Sequence, residues 1–403
     1  MERVRNNAQG QRLNPIRDLV VVGAGIHGAF LLRRVLRDRI VAPERALWLD
    51  SEPRPFAVWR RRVRNCRMDF LRSPASHGLD PDFRALRHNL DDPERFAPPY
   101  HRPAVRVFDR HLSQVADEIL ADVDYHQTVV QHIERVSDSH WLVVCADRTI
   151  ATHKVILALG QPEPRLPTAL CGVQFGTNAN VPIYHLYDRT IPDTVRQAPT
   201  LLIGNGIGAA HFALWYADAG STIDWWTRSE STVHDFDSNP AYIGPKGQAE
   251  LAAARRDQTM PTLLATARRR GSIPPGLAHR LAGVPQGLVR RRSAALANAR
   301  RHGDRFIVRD VAGTVLRPEV IVVATGFTAG PPARALIAAS AERGLPIDSA
   351  GYPLLDDRLQ WGPGLFVSGG MAEMVLGPPA RNIIGAHLAG RRIVPALLHA
   401  AAA

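Results

Sequence analysis

The segment DLVVVGAGIHGAF, residues 18–30, constrains this chain most, because a second segment of the same kind follows it. Leu19 to Val22 form a short, largely β-branched run, which suits a strand buried on both faces. Gly23, Gly25 and Gly28 then fit G-x-G-x-x-G, with Ile26 and His27 between the last two. In that pattern the first glycine makes the tight turn and the second lets backbone approach a diphosphate. The third lets the helix pack on the strand. Ala29, Leu32 and Leu36 share one face of the helix that should follow, whose N-terminal amides would hold the diphosphate. A second strand, ALWLD, ends at Asp50, about 20 residues on, where an acid can meet ribose hydroxyls; Ser51 follows it. The second copy, TLLIGNGIGAAHFALWYADAG, runs from Thr200 to Gly220. Leu201 to Ile203 are its strand, Gly204, Gly206 and Ala209 its small positions, and Asn205, Ile207 and Gly208 the residues between. Its helix should run to about Ala219.

The two copies differ where the next strand ends. Instead of an acid, TIDWWTRSE places Thr227, Arg228 and Ser229 there, and Asp224 comes too early in the strand to serve. An acid favours the free 2′-hydroxyl of NAD, whereas an arginine accommodates the 2′-phosphate of NADP. Arg228 therefore favours NADPH, the alternative being one more surface arginine in an arginine-rich chain. Each half then makes a small antiparallel excursion and returns in a buried strand. The first closes on Ala158-Leu159-Gly160 and the second on Ala324-Thr325-Gly326. Small closing residues let the chain pass near a bound cofactor. Two nucleotide pockets imply two nucleotides, and a nicotinamide donor facing a flavin acceptor makes a hydride-transfer device. FAD belongs in the first pocket, with Asp50, and NADPH in the second.

The rest of the sequence narrows the class by exclusion. A chain of 403 residues, 45% hydrophobic and 22% charged, is expected to form roughly two to three globular domains. No apolar run approaches the roughly 20 residues of a membrane helix. The opening MERVRNNAQGQRLNP lacks the apolar segment of a secretion signal, so a cytoplasmic location is expected. Cys66, Cys145 and Cys171 lie far apart, which encodes neither a disulfide framework nor a thiol redox pair. The net charge of +12 is almost all arginine, Lys154 and Lys246 being the only lysines. The arginine runs at 60–62, 268–270 and 290–292 are scattered, with no aromatic-interleaved basic motif, which argues against nucleic acid and for solvated surface charge. No H-E-x-x-H or comparable cluster suggests a metal, and no G-x-S-x-G elbow suggests a hydrolase.

The two glycine turns, VVATGF at residues 322–327 and GLFVSGGMAEMVLGPPARNIIGAHLAGRRI at residues 364–393 together resemble the two-dinucleotide-binding-domain flavoproteins. More narrowly, they resemble the class B flavin monooxygenases, and among them the lysine/ornithine N-hydroxylase group. The resemblance implies an α/β fold of two Rossmann-like domains, the NADPH domain inserted into the FAD domain. Residues 1–195 and 327–403 would form the FAD domain. Residues 196–326 would form the NADPH domain, with a helical insertion at 230–305. It also implies that Trp59 lies near the flavin, that Leu71, Arg72 and Ser73 lie beside its ring, and that Val129 and Val130 meet its adenine end. Gly369 and Gly370 would stand at the turn before the helix that faces it. Disulfide reductases usually have Gly-Asp at that turn; Gly-Gly fits the monooxygenase branch. The Gly-Gly-Trp loop of the dimethylaniline-type and Baeyer–Villiger enzymes is replaced here by FAVW, and their long fingerprint between the two turns is missing.

The segment from Glu230 to Arg305 belongs to neither glycine-turn repeat, and an insertion there can cap the flavin and shape a pocket. Lys246 within it is a candidate for a cofactor phosphate or a substrate carboxylate, or else a plain surface lysine. His77, in SPASHG, is a candidate to move protons at the flavin face, or else a packed histidine. The activity the resemblance implies is an FAD- and NADPH-dependent monooxygenase hydroxylating a small-molecule amine nitrogen through a C4a-(hydro)peroxyflavin, with dioxygen as co-substrate. The flavin performs the chemistry, and no catalytic acid or base is named. An NADPH:acceptor reductase without oxygen insertion, and a nucleotide-sensing flavoprotein without turnover, are the alternatives.

Overall fold

The computed structural model describes residues 16–80, 82, 84–86, 89–137, 139–171 and 182–399; the N-terminal MERVRNNAQGQRLNP stretch lies outside them. The first unit opens as its periodicity requires. Strand β1 (Arg17–Val22) leads through the glycine turn into α1 (Ile26–Arg37), and the chain returns in β2 (Ala46–Asp50). Helix α2 (Ala57–Cys66) follows, then a small hairpin of β3 (Phe96–Ala97) and β4 (Arg102–Pro103), helix α3 (Val105–Leu120) and β5 (Asp124–Gln127). Strands β6 (Val130–Ser137), β7 (His140–Cys145) and β8 (Thr149–Leu157) form an antiparallel meander. The nine residues of β8 do double duty. Its first half pairs with β7, and its second half runs parallel to β1.

The second unit repeats the plan. After β9 (Ile183–His185) come β10 (Thr200–Ile203), α4 (Ile207–Ala217) and β11 (Ile223–Thr227). Helices α5 (Pro245–Arg256), α6 (Met260–Ala267) and α7 (Pro275–Ala282) precede β12 (Val289–Ser293). A three-stranded antiparallel sheet of β13 (Leu296–His302), β14 (Arg305–Asp310) and β15 (Val315–Leu316) then leads into β16 (Val320–Val323). The chain closes with α8 (Arg334–Ala341), β17 (Gln360–Gly362), β18 (Leu365–Val367), α9 (Glu373–Leu376) and α10 (Ile383–His399).

The two sheets share one topology. The first has the parallel order β18-β8-β1-β2-β5, with β17 added antiparallel at its edge; the second is β9-β16-β10-β11-β12, parallel throughout. Leu19–Val22 of β1 and all of β10, the central strands, are buried, as a parallel sheet covered on both faces demands. The strand beyond the closing strand differs in origin. In the first unit it is β18, from near the C-terminus; in the second it is β9, from upstream of β10. The second sheet thus starts at Ile183, before residue 196, and takes β12 from inside the 230–305 segment, which is helical only as far as Ala282. Neither short strand carries a glycine turn to announce it. Among the described residues, no helix is long and apolar enough to cross a membrane.

Candidate functional site

The two glycine turns agree bond for bond. Gly23 donates to the carbonyl of Leu49 at 2.7 Å, and Gly204 to that of Trp226 at 3.0 Å. Both glycines have positive φ, +105° and +138°, and a side chain on either would strike the carbonyl of the closing strand, Ala158 or Ala324. The indole of Trp48 donates to the carbonyl of Gly23 at 3.2 Å, and that of Trp225 to Gly204 at 2.6 Å. Gly25 and Gly206, by contrast, would each project a Cβ into space with no heavy atom within 4 Å, and Gly160 and Gly326 would do the same. The bare backbone that a diphosphate needs is therefore present in both turns.

A cavity of about 840 Å³ lies along the first turn, within the size range of a cofactor site. Gly23, Gly25, Ile26 and His27 line one wall, with Gly160, Gly369 and Gly370. Asp50 and Ser51 line it at one end, beside Val129 and Val130. The amides of Ala24 and Glu52 donate to the Asp50 carboxylate, at 2.5 and 2.8 Å, which fixes its orientation. Trp59 lines the same cavity from α2, its ring 5.5 Å from that of Phe108. His27 does more than fill a turn position. Its Nε2 donates to the Asn382 carbonyl at 3.0 Å, so its Nδ1 accepts from the Ser368 hydroxyl at 2.8 Å. Burial pushes its pKa down to about 4, which keeps this clasp between the first turn and the C-terminal segment neutral.

Of the three residues expected beside the flavin ring, Ser73 and Arg72 line the cavity, while Leu71 is buried in the core. Arg72 is spent elsewhere. Its guanidinium donates to the carbonyls of Asp235 (3.0 Å), His234 (2.6 Å) and Ser272 (3.3 Å) and to the Ser272 hydroxyl (2.9 Å). It therefore ties down the segment between β11 and β12. That segment caps the cavity with Phe236, Asp237, Ser238, Pro240 and Ile243. Further ties are an Arg102–Asp235 ion pair at 2.8 Å and an Asn382–Asp237 hydrogen bond at 3.0 Å. The most buried tie joins Arg268 of the cap to Glu373 at 2.5 Å. Glu373, 3% exposed, also accepts from Arg381 and from the Tyr352 hydroxyl. Lys246 is exposed on the first turn of α5, and the cap reaches the cavity through Pro240 and Ile243 instead.

His77 lines the cavity too. Its Nδ1 is buried without a partner, and burial followed by the neighbouring His387 brings its pKa to about 4. It is a neutral imidazole at neutral pH.

At the second turn, Asn205 bridges to the loop after β11. It donates to the carbonyl of Glu230 at 2.8 Å and to the Ser229 hydroxyl at 3.3 Å. Ser231 and Arg291 donate back to its amide oxygen, and Arg291 lies over the Trp225 ring at 4.6 Å. Gly208 faces Cys66 and Tyr187, and Ala209 is fully buried. Arg228 is exposed at the end of β11. Two arginines share its field. Burial, then the like charges of Arg228 and Arg270, hold Arg165 below its ordinary pKa. Arg165 donates to the Thr325 carbonyl at 2.9 Å, beside Gly326. Gly271, next to Arg270, packs on the carbonyl of Asn205. Three cations thus gather around one glycine turn, where their fields add. Of these, sequence reading finds only Arg228. Arg165 and Arg270 come from linkers far off in the chain, and no local motif marks them.

Two matched cradles, one of them along a capped cavity, define the fold of the two-dinucleotide-binding-domain flavoproteins. Residues 20–162 match the model of a family described as FAD-NAD(P)-binding. Among solved structures, the chain is similar to a reduced form of ornithine hydroxylase from Pseudomonas aeruginosa, at 16% identity and a TM-score of 0.73, covering 96% of this chain and 100% of that one. It is also similar to the FAD-bound cadaverine monooxygenase of the desferrioxamine biosynthetic pathway from Erwinia amylovora (14%, TM-score 0.71, 96% and 95% covered). A third is the L-lysine 6-monooxygenase from Pseudomonas syringae (17%, TM-score 0.65, 95% and 99% covered). No curated protein matches the sequence.

Proposed function

We propose that this protein is an FAD- and NADPH-dependent monooxygenase that hydroxylates an amine nitrogen of a small molecule. The observation that carries the reading is the pair of matched cradles, with the start of the second helix, Ile207, in the wall of the cavity along the first. Similarity in fold to the ornithine, cadaverine and lysine enzymes supports it. Bound FAD would supply the redox chemistry, accepting a hydride from NADPH and activating dioxygen.

The chain's own residues do the rest. The bare amides at Gly25 and Ile26 would hold the FAD diphosphate and Asp50 its ribose, while Gly160, Gly369 and Gly370 admit the ring without obstruction. Arg228, Arg165 and Arg270 would hold the 2′-phosphate side of NADPH. Phe236, Pro240 and Ile243 in the cap, with Ile383 and Ile384 opposite, would keep water from the reacting atoms. His77, a neutral imidazole in the cavity lining, would offer a hydrogen bond to the substrate. Gly369 and Gly370 stand where the disulfide reductases have Gly-Asp, which supports oxygen insertion over electron transfer to an external acceptor.

The test is a screen of aliphatic amines, diamines and diamino acids with the FAD-loaded protein. A substrate should couple NADPH and oxygen consumption to a product heavier by one oxygen atom. Consumption that yields only hydrogen peroxide with every amine would refute the assignment.

A further inference from the structure

Arg62 stands where the two units meet. The end of α2 lies against the first turn of α4: a Cβ on Gly208 would come within 3.1 Å of the Cys66 sulfur and 2.9 Å of the Tyr187 hydroxyl. One turn back along α2, Arg62 lines the cavity in company with Ile207, the first residue of α4. Its guanidinium sits over the Phe327 ring at 5.0 Å, and Phe327 stacks on Tyr187 at 4.7 Å. Among the described residues it makes a single, long hydrogen bond, from Nε to the Tyr187 carbonyl at 3.4 Å.

Its neighbours are different. Arg60 pairs with Asp109 at 2.6 Å and Arg61 with Glu52 at 2.9 Å. Among the described residues, no carboxylate forms an ion pair with Arg62, and burial lowers its pKa. Asp188 acts on it only through space, so the desolvated cation is incompletely compensated, and an arriving anion would relieve the remaining cost.

We infer that Arg62 is a positioning residue for the nicotinamide dinucleotide, donating to an oxygen of the nicotinamide-side phosphate of its diphosphate. The inference rests on the reading of the second cradle as the NADPH site. The diphosphate of FAD belongs at the start of α1, whereas the groups that hold Arg62, Tyr187 and Phe327, follow strands of the second sheet. A cation from the first unit that grips the second dinucleotide would aim the nicotinamide into the cavity along the first. A guanidinium suits a phosphate edge better than an ammonium does, because it can donate two parallel hydrogen bonds.

The experiment titrates FAD-loaded wild type, Arg62→Met and Arg62→Lys with NADP⁺ and with 2′,5′-ADP by calorimetry, and measures the flavin content of each. NADP⁺ affinity should fall by about tenfold or more in Arg62→Met and recover in part in Arg62→Lys. The affinity for 2′,5′-ADP, which keeps the adenosine-side phosphate but lacks the nicotinamide-side one, should hold within about twofold, and flavin content should not change. Unchanged NADP⁺ affinity in Arg62→Met, an equal loss for both ligands, or loss of flavin in place of NADP⁺ would each overturn the inference. A wild type that binds no NADP⁺ would instead overturn the NADPH assignment, and this inference with it.

Discussion

At the residue scale, the two glycine turns separate two demands that one motif makes. Gly23 and Gly204 are needed because the closing strand's carbonyl leaves no room, so replacing them attacks the fold. Gly25 and Gly206 face open space, so replacing them attacks the ligand. Gly25→Val should therefore keep the far-ultraviolet circular dichroism of the wild type yet lose most of its bound FAD, read as flavin absorbance per protein. The second turn offers a charge test. Arg228→Ala removes one of three clustered cations, so it should raise the KM for NADPH by about tenfold and leave that for NADH nearly unchanged. Equal effects on both cofactors would mean that Arg228 does not meet the 2′-phosphate.

At the scale of elements, the N-terminal turn of α1 is held to the residues before α10 through His27. That clasp works only while the ring is neutral. His27, His77, His111, His185 and His211 all have pKa values brought down to about 4, with burial the first cause in each. Their ordinary value is 6.5, so as pH falls the unfolded chain takes up protons before the folded one does. Stability is then full above about pH 6.5 and drains away as pH falls toward 4. Each histidine contributes up to about 1.4 kcal/mol per pH unit within that window. Urea midpoints should fall steeply between pH 6.5 and 4.5. His27→Gln should be less stable at pH 7.5 but show a shallower acid dependence, by about one proton.

At the scale of the whole molecule, a few buried ion pairs decide whether the cap closes the cavity. Glu373 meets Arg268 from the cap and Arg381 from the other side, so two guanidinium groups depend on one carboxylate. Glu373→Ala would leave both cations buried and unpaired, a loss on the order of 3–5 kcal/mol. A fall in melting temperature should come with faster proteolysis within residues 231–275. Arg255→Ala, on an exposed pair with Asp357, serves as the control and should change the melting temperature little.

The sequence by itself determined the two cradles, because each is a local device: strand, turn and helix lie within about 30 consecutive residues, and sterics at the glycines leave one solution. It also marked Asp50, Arg228 and the Gly369-Gly370 turn, all at the ends of recognisable strands. Only the tertiary structure decided what surrounds those devices. Ile183–His185 completes the second sheet as a three-residue edge strand too short for periodicity to reveal. Arg72 reads as a flavin neighbour in sequence, yet its donors are drawn to carbonyls of the cap more than 160 residues away. Arg165 joins Arg228, and Arg268 joins Glu373, because two units pack together, while Arg270 is brought in by the folding of the second unit on itself. Such meetings depend on distances across the fold, and spacing along the chain does not record them.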